Sequence, residues 1–378
     1  MTTTYCPNVQ KSNAQRVFAM IEDTAGTLVK PAATGLILPA GRASISQTPT
    51  FTDTPELMLT NDIITQARDA MPPGDWSVSM VARLAASHGV PQGEALLKAA
   101  MGALSTANSK RTYSLQLCRP SLSLWLENEG TAQFMSGCVV ERLEWKIERS
   151  GFVVLEFSGR GRKSGICGVG KLASAPNNKV LTLEEGHAAR FSVGGYVHNR
   201  TTDSADGIKI TAIDLTNNTL TLESAPSSWS SGDLVGPWFP TATAIGKEVE
   251  SNSATISIDG VQGRVRPSTF TATLPAQFLE EIGDTYPGES VDNRRSVSMS
   301  ISSYFRWADA ASFQEALDGA TKAVAVSASN SNGSITFSMP KVRFSYPAIG
   351  EDEAVLTLDC EGTALGESGE DSFSIVIE

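Results

Sequence analysis

Between Cys138 and Gly159 the chain reads CVVERLEWKIERSGFVVLEFSG. Leu143, Trp145 and Ile147 alternate with Arg142, Glu144, Lys146 and Glu148; Val153, Leu155 and Phe157 then alternate with Val154, Glu156 and Ser158. A period of two predicts two long strands, joined at Ser150-Gly151, with one buried face. A solvated hairpin of this length is marginal alone. It needs a second layer or neighbouring chains to cover it.

Other periodic stretches predict strands at Arg16–Ile21, Gly35–Leu38, Trp76–Leu84, Tyr113–Leu117 and Leu122–Leu126. Leu96, Ala99, Ala100 and Ala103 share one face of a helix over Glu94–Leu104. Residues 41–75 carry little periodicity; a helix over Asp62–Ala70 would end at Pro72-Pro73. From Gly159 the texture changes. SGRGRKSGICGVG reads as a linker, and residues 166–239 follow with short, closely spaced strands at 180–183, 189–193, 208–213, 219–222 and 233–235. That region reads as a small all-β unit, of a size that can fold alone.

The order of elements then recurs. Ser296–Met299 repeats the Ser-Val-Ser-Met of residues 77–80, Glu315-Ala316-Leu317 echoes Glu94-Ala95-Leu96, and Gly362 stands where Gly159 stood. Between them lie a helix over Ala311–Ala320 and strands at 323–327, 335–339, 342–346 and 355–360. The repeat is read as a duplication. The expected fold is mainly β with short helices (α+β): two β-sandwich domains with a flanking helix each, at 1–164 and 241–378, and an inserted small all-β barrel at 165–240.

The 378 residues are too many for one ordinary core. A net charge of −11 argues against a sequence-reading nucleic-acid binder, which needs a basic face. No apolar h-region opens the chain and no run of about 18 apolar residues occurs, so neither signal peptide nor membrane insertion is expected. The five cysteines are scattered and form no CxxC, the usage of reduced thiols made in a cytosol.

Chemistry-bearing motifs are sparse. His88, His187 and His198 have no partner at metal-ligand spacing, and there is no GxSxG, HExxH or P-loop. No catalytic residue, metal or cofactor is assigned. Cys167 between glycines reads as a plain thiol, and Arg160, Arg162 and Lys163 as a solvated hinge or a contact to a neighbouring subunit in preference to a contact with nucleic acid. The acids at 351–353 and at Glu367, Glu370 and Asp371 read as solvated turns or as acid facing a DNA channel.

WSVSMVARL at 76–84, PSLSLWLENEG at 120–130, FMSGCVVERLEWKIERSGFVVLEFSG at 134–159 and PWFPTATAIG at 237–246 together resemble the tail tube proteins of long-tailed, siphovirus-like bacteriophages. The resemblance covers residues 40–164 and resumes near 237. It implies a structural virion protein whose strands pair between subunits into a barrel, with rings stacked into a tube. It also implies the partners: further copies of the chain, as three duplicated chains or six per ring, the tape measure protein, the tail terminator and the distal tail proteins. The inserted domain and the second copy depart from the single-domain pattern.

Long amphipathic strands with open edges aggregate unless covered. Closing them into a ring removes the edges and leaves an aqueous lumen. Arg142, Glu144, Lys146, Glu148 and Glu156 are the candidate inter-subunit or lumen strand positions; their face points either to the lumen or to a packing layer. Thr48, Phe51, Asp53, Glu56 and Leu57, within 41–75, are the candidate ring-stacking loop, with 263–295 as a shorter counterpart. DNA would transit an acidic channel without specific binding. The competing reading is a modular β-rich adhesin or carbohydrate binder, with Tyr196, Trp229 and Trp238 as its aromatic platform.

Overall fold

The computed structural model describes residues 15–53, 66–86, 89–128, 130–203, 207–243, 246–263, 265–306, 311–353 and 355–378. The first run holds β1 (Gln15–Ile21), β2 (Leu36–Ile37), β3 (Ser44–Ser46), β4 (Phe51–Asp53), β5 (Gln66–Arg68), β6 (Gly74–Val81), β7 (Arg83–Leu84), α1 (Glu94–Met101), β8 (Gly102–Ala107), β9 (Lys110–Leu115), β10 (Leu122–Asn128), β11 (Thr131–Ile147), β12 (Val154–Gly161) and β13 (Lys163–Cys167). The middle run holds β14 (Gly170–Lys171), β15 (Val180–Thr182), β16 (Tyr196–Asn199), β17 (Ile208–Asp214), β18 (Thr219–Leu222) and β19 (Leu234–Pro237). The last holds β20 (Lys247–Glu248), β21 (Thr255–Ile258), β22 (Val261–Gly263), β23 (Ser268–Thr273), β24 (Ala276–Phe278), β25 (Ser290–Asp292), β26 (Ser296–Tyr304), α2 (Ala311–Leu317), β27 (Thr321–Asn330), β28 (Gly333–Phe344), β29 (Ala348–Asp352), β30 (Val355–Ala364) and β31 (Ser374–Ile377).

The first and last runs share one strand order, all antiparallel. β2–β1–β10–β11–β12–β6–β3 is matched by β22–β21–β27–β28–β30–β26–β23. The irregularities match as well. The ladder slips between Leu122 and Leu124 in one run and between Lys322 and Val324 in the other. Past that slip Leu124 faces Met135, and Val324 faces Met339. A second slip follows Val140, which faces Gly159; the other follows Phe344, which faces Gly362, before β29 takes over with Ala348 opposite Asp359. Such bulges bend a strand and re-aim its side chains. β11 uses its bend to leave β10 and β13 for β12. Aligned this way, Gly159 faces Trp76 and Gly362 faces Met299, so the two Ser-Val-Ser-Met phrases sit four residues apart in the ladders. An even offset keeps Val297 and Met299 on the buried face.

The two runs are fused. β11 pairs with β23, Trp145 opposite Phe270, and β9 pairs with β31, which pairs with β28. One core results, from Val17, Met80 and Leu97 through Trp145 to Phe337 and Ile375. Trp145 stacks on Phe270, Phe337 and Phe373 at its centre.

This corrects the α+β expectation of a flanking helix per domain. The described residues are mostly strand in large antiparallel sheets, with two α-helices of eight and seven residues. Neither is a flanking layer. α1 buries Leu96, Leu97, Ala99, Ala100 and Met101 inside the core, and Gly102 ends it at φ 95°. α2 leaves Leu317, the counterpart of Leu96 in the sequence echo, 68% exposed. Helices this short gain too little from propensity to form layers of their own. In residues 62–70, the described part forms β5 instead of a helix.

β14 to β19 form a separate six-stranded sheet in the order β14–β19–β16–β17–β18–β15. Its core is shared, though: Leu181, Val197 and Leu220 pack in one cluster with Phe18, Trp125 and Phe134 of β1, β10 and β11. Those three point away from Val17, Leu124 and Met135, which face the main core. The β1–β10–β11 sheet is therefore buried on both faces. The Gly-rich stretch is no linker but the end of β12 and β13 paired to β11. A side chain at Gly165 would lie 2.3 Å from the Phe134 ring, so only glycine lets the strands close there.

Candidate functional site

The outward face of the eight-stranded series β3–β6–β12–β11–β23–β26–β30–β29 is one polar wall. A single cross-strand row runs Ser79, Glu156, Glu144, Thr271, Ser298, Thr363. The row beside it runs Ser77, Ser158, Arg142, Thr273, Ser296. The next runs Val154, Lys146, Thr269, Ser300, Glu361. Strict alternation over 296–301 of β26, with Val297, Met299 and Ile301 buried and Ser296, Ser298 and Ser300 exposed, puts small hydroxyls on this part of the face.

Four of the five predicted strand residues meet here. Glu144 accepts hydrogen bonds from Arg142 and forms an ion pair with Lys146 at 3.0 Å. Lys146 also donates to both carboxylate oxygens of Glu156 at 3.2 Å. Burial works against the Glu144 carboxylate, yet the bonds and charges of Lys146 and Arg142 hold it below the usual carboxylate range. The same bonds from Glu144 and Glu156 raise Lys146. Two cations and two carboxylates thus cancel, and they line a shallow trough of about 450 Å³ with Arg42, Ser77 and Ser79. Glu148 lies beyond the end of β11 and is exposed. The hydroxyl half of the wall, on β23 and β26, was not singled out from sequence; the Ser-x-Ser-x-Ser alternation of 296–300 was its signal.

The predicted loops come together at one end of the wall. β4 pairs with β5 and β24 with β25, and the Met71 amide donates to the Thr285 carbonyl at 2.9 Å, tying the two segments. Phe51 is 56% exposed, Asp53 and Thr48 are exposed, and Ile282 stands free among Glu280, Glu281 and Asp284. Glu56 and Leu57 lie outside the described residues, as does His88.

The remaining candidates have structural work. Arg160 grips Glu141 and the Ala276 carbonyl, Arg162 donates to the carbonyls of Pro287 and Ala25, and Lys163 sits 5.1 Å over Tyr286. The basic stretch pins the 276–287 segment of its own chain. Burial pushes the Cys167 thiol up to about 12, which removes it as a nucleophile. Trp229 is buried, Tyr196 packs edge-on to Trp125, and Lys30 covers Trp238 at 4.2 Å, so these rings make no open platform. Asp352 pairs with Arg266 at 2.7 Å, and Asp371 closes its own turn through Ser368. Among the described residues no cluster of His, Cys, Asp or Glu could hold a metal, and no helix is long and apolar enough to cross a membrane.

Residues 12–364 match the family model described as phage tail tube protein. No curated protein matches the chain.

Proposed function

The chain belongs to the phage tail tube protein family, a structural component of the virion tail, and on that premise we propose that it builds the tube as a two-unit subunit whose polar wall lines the lumen. The observation that carries this is the β11–β23 pairing. There the wall passes from the first unit to the second without a break, Glu144 opposite Thr271 and Lys146 opposite Thr269. Repeating that junction between chains closes a ring by rotation. Each chain offers eight strands, so three chains give a barrel of about 24 strands, roughly 40 Å across at the usual strand spacing and wide enough for duplex DNA. The matched strand orders and matched slips support two equivalent units in 1–164 and 241–378, and hence three chains where single-unit relatives would need six.

The lining suits passage. Arg142 and Lys146 are already engaged by Glu144 and Glu156. A phosphate backbone gains affinity by finding unpaired cations and releasing its counterions; hydroxyls and neutralised pairs offer neither. The β4–β5 and β24–β25 hairpins, at one end of the wall, would stack on the next ring. The 165–240 domain, on the opposite side of the β1–β10–β11 sheet from the main core, would face outward. Contacts with the tape measure protein, tail terminator and distal tail proteins follow at the tube's interior and ends. Electron microscopy of the purified protein tests the reading. Tubes or rings whose averaged end-on view shows three repeats of a double unit are expected; a monomer at every salt and protein concentration would overturn it.

A further inference from the structure

Within one chain the junction between units is sealed; the two outer ends of the series are not. β29 pairs only with β30, and β3 only with β6, among the described residues. The matched ladders give the register in which these ends correspond to the sealed junction. Val140 and Phe344 are equivalent, each opposite its glycine, and each is followed by a one-residue slip. Trp145 therefore corresponds to Ile349, which faces Leu358 as Trp145 faces Leu155. On the other side Trp76 corresponds to Met299, since each faces the equivalent glycine. Ile45 pairs with Trp76 and Phe270 with Met299, so Ile45 corresponds to Phe270.

In the sealed junction Trp145 is fully buried and its ring lies 5.2 Å from Phe270. At the open end Ile349 is 55% exposed and Tyr346 60% exposed. Beneath α2, reaching Leu358, the residue that faces Ile349, lies a mainly apolar cavity of about 650 Å³ whose lining includes Ile258, Val261, Ile301 and Phe344 as well as Glu315 and Lys322. The first unit fills the comparable space with α1, which buries Leu97 and Met101, whereas α2 leaves Leu317 68% exposed. The second unit is an unfinished core.

We propose that the free edge of β29 takes the β3 edge of a second copy, antiparallel with Ile349 opposite Ile45, and that this contact covers the apolar cavity. The proposal rests on the ring reading and adds its register. Ala348 then faces Ser46, Gly350 faces Ser44, and Asp352 comes opposite Arg42. The charges are complementary: Arg42 is exposed at the lip of the trough, and β29 ends in the acidic run Glu351, Asp352 and Glu353, in which Asp352 already pairs with Arg266 of its own chain at 2.7 Å and would share its carboxylate with Arg42. The strip has a built-in limit. The Gln15 carboxamide donates to the Ala43 carbonyl and accepts from the Ala43 amide, so backbone pairing starts at Ser44. Hydrophobic and hydroxyl rows both stay in phase, so the wall continues across the seam.

Paired cysteines test the register. Directly opposed strand residues lie about 4.5–5.5 Å apart, within disulfide reach, whereas a four-residue slip puts them beyond it. Assembled Ser46→Cys/Ala348→Cys protein, treated with a mild oxidant, should give a covalent ladder that ends at the number of chains in the ring. Thr50→Cys/Ala348→Cys and the single-cysteine variants should not. Tubes that cross-link equally in the displaced pair, or only there, would overturn the register while leaving the ring reading intact. Absence of rings or tubes in the unmodified protein would instead remove the reading itself. Independently, Arg42→Glu should cut assembly at limiting concentration at least tenfold and Asp352→Arg should restore it; a tube yield unchanged by Arg42→Glu would count against the seam even if the cysteine variants fail to fold.

Discussion

Trp145 and Phe337 lie face to face, ring centroids 4.6 Å apart and planes 13° from parallel, one from β11 in the first half of the chain and one from β28 in the second. Phe270 and Phe373 complete the stack. The halves therefore do not fold around separate cores. Trp145→Ala should cost about 3–5 kcal/mol by cavity formation, and denaturant unfolding should show loss of both halves together. Trp145→Phe should cost much less, because the indole N–H is buried without a protein partner and its removal relieves an unmet donor. Two separate unfolding transitions in the wild type, with only one moved by Trp145→Ala, would contradict the shared core.

Deleting 166–239 and joining the ends should abolish folded, soluble protein. The deletion uncovers Phe18, Trp125 and Phe134 together, an apolar patch that the six-stranded sheet now covers. The expected readout is aggregation, or strong binding of a hydrophobic dye. A deletion protein that assembles at wild-type yield would show that the inserted domain is a separable decoration.

This dependence marks what the sequence could and could not reveal. The β11–β12 hairpin was legible because one face is wet and the alternation is clean. β10 was harder: Leu122, Leu124 and Leu126 face the main core while Trp125 faces the insert, so burial on both sides erases the period. Trp125 and Phe134, apolar on the wrong parity, were the available signal for a docked insert. The glycines of β13 looked like linker composition because close packing against Phe134 and a flexible loop select the same residue. The wall's charged half was legible as alternating charge. Its neutral pairing was not, since Arg142, Lys146 and Glu156 meet Glu144 only once two strands are in register. The open edges could not be read at all, because being unpaired is a property of the ladder and not of any residue.

Glu22 is a buried carboxylate that holds the turn regions together. It accepts from Ser121, Ser123, Gly26 and Gly137 at 2.7–2.9 Å. Glu22→Ala leaves several buried donors unmet and should destabilise by about 2–4 kcal/mol. Glu22→Gln should recover only part of this, since one amide nitrogen cannot accept. Equal denaturation midpoints for the wild type and Glu22→Ala would rule out such an anchoring role.

The charge network sets an acid limit. The Glu144 carboxylate titrates below its usual range in the folded chain. A depressed folded value means the stabilisation is present above the unfolded carboxylate value, about 4.3, and is lost as pH falls through the folded value. Wild-type stability should therefore fall between about pH 5 and 2 more steeply than that of Glu144→Gln. The variant should be weaker at neutral pH, by about 1–3 kcal/mol. Parallel pH profiles for the two proteins would show that Glu144 is not the group responsible.

Ser298 tests which way the wall faces. In the single chain it is exposed, in the row that links Glu144 to Thr363 across both units. If the wall lines the lumen, Ser298→Cys in assembled tubes should react with a small maleimide, which diffuses in from the ends, and not with a maleimide carried on a globular protein wider than the bore. Thr216→Cys, exposed in the turn after β17 on the inserted sheet, should react with both. Reaction of Ser298→Cys with the large reagent at the rate of Thr216→Cys would place the wall outside. The same position tests whether the proposed lining lets DNA slide. Ser298→Lys adds a cation with no facing carboxylate, because its neighbours in the row are Thr271 and Thr363. It should make tubes retain DNA in a manner that weakens steeply with salt, whereas Ser298→Gln should not.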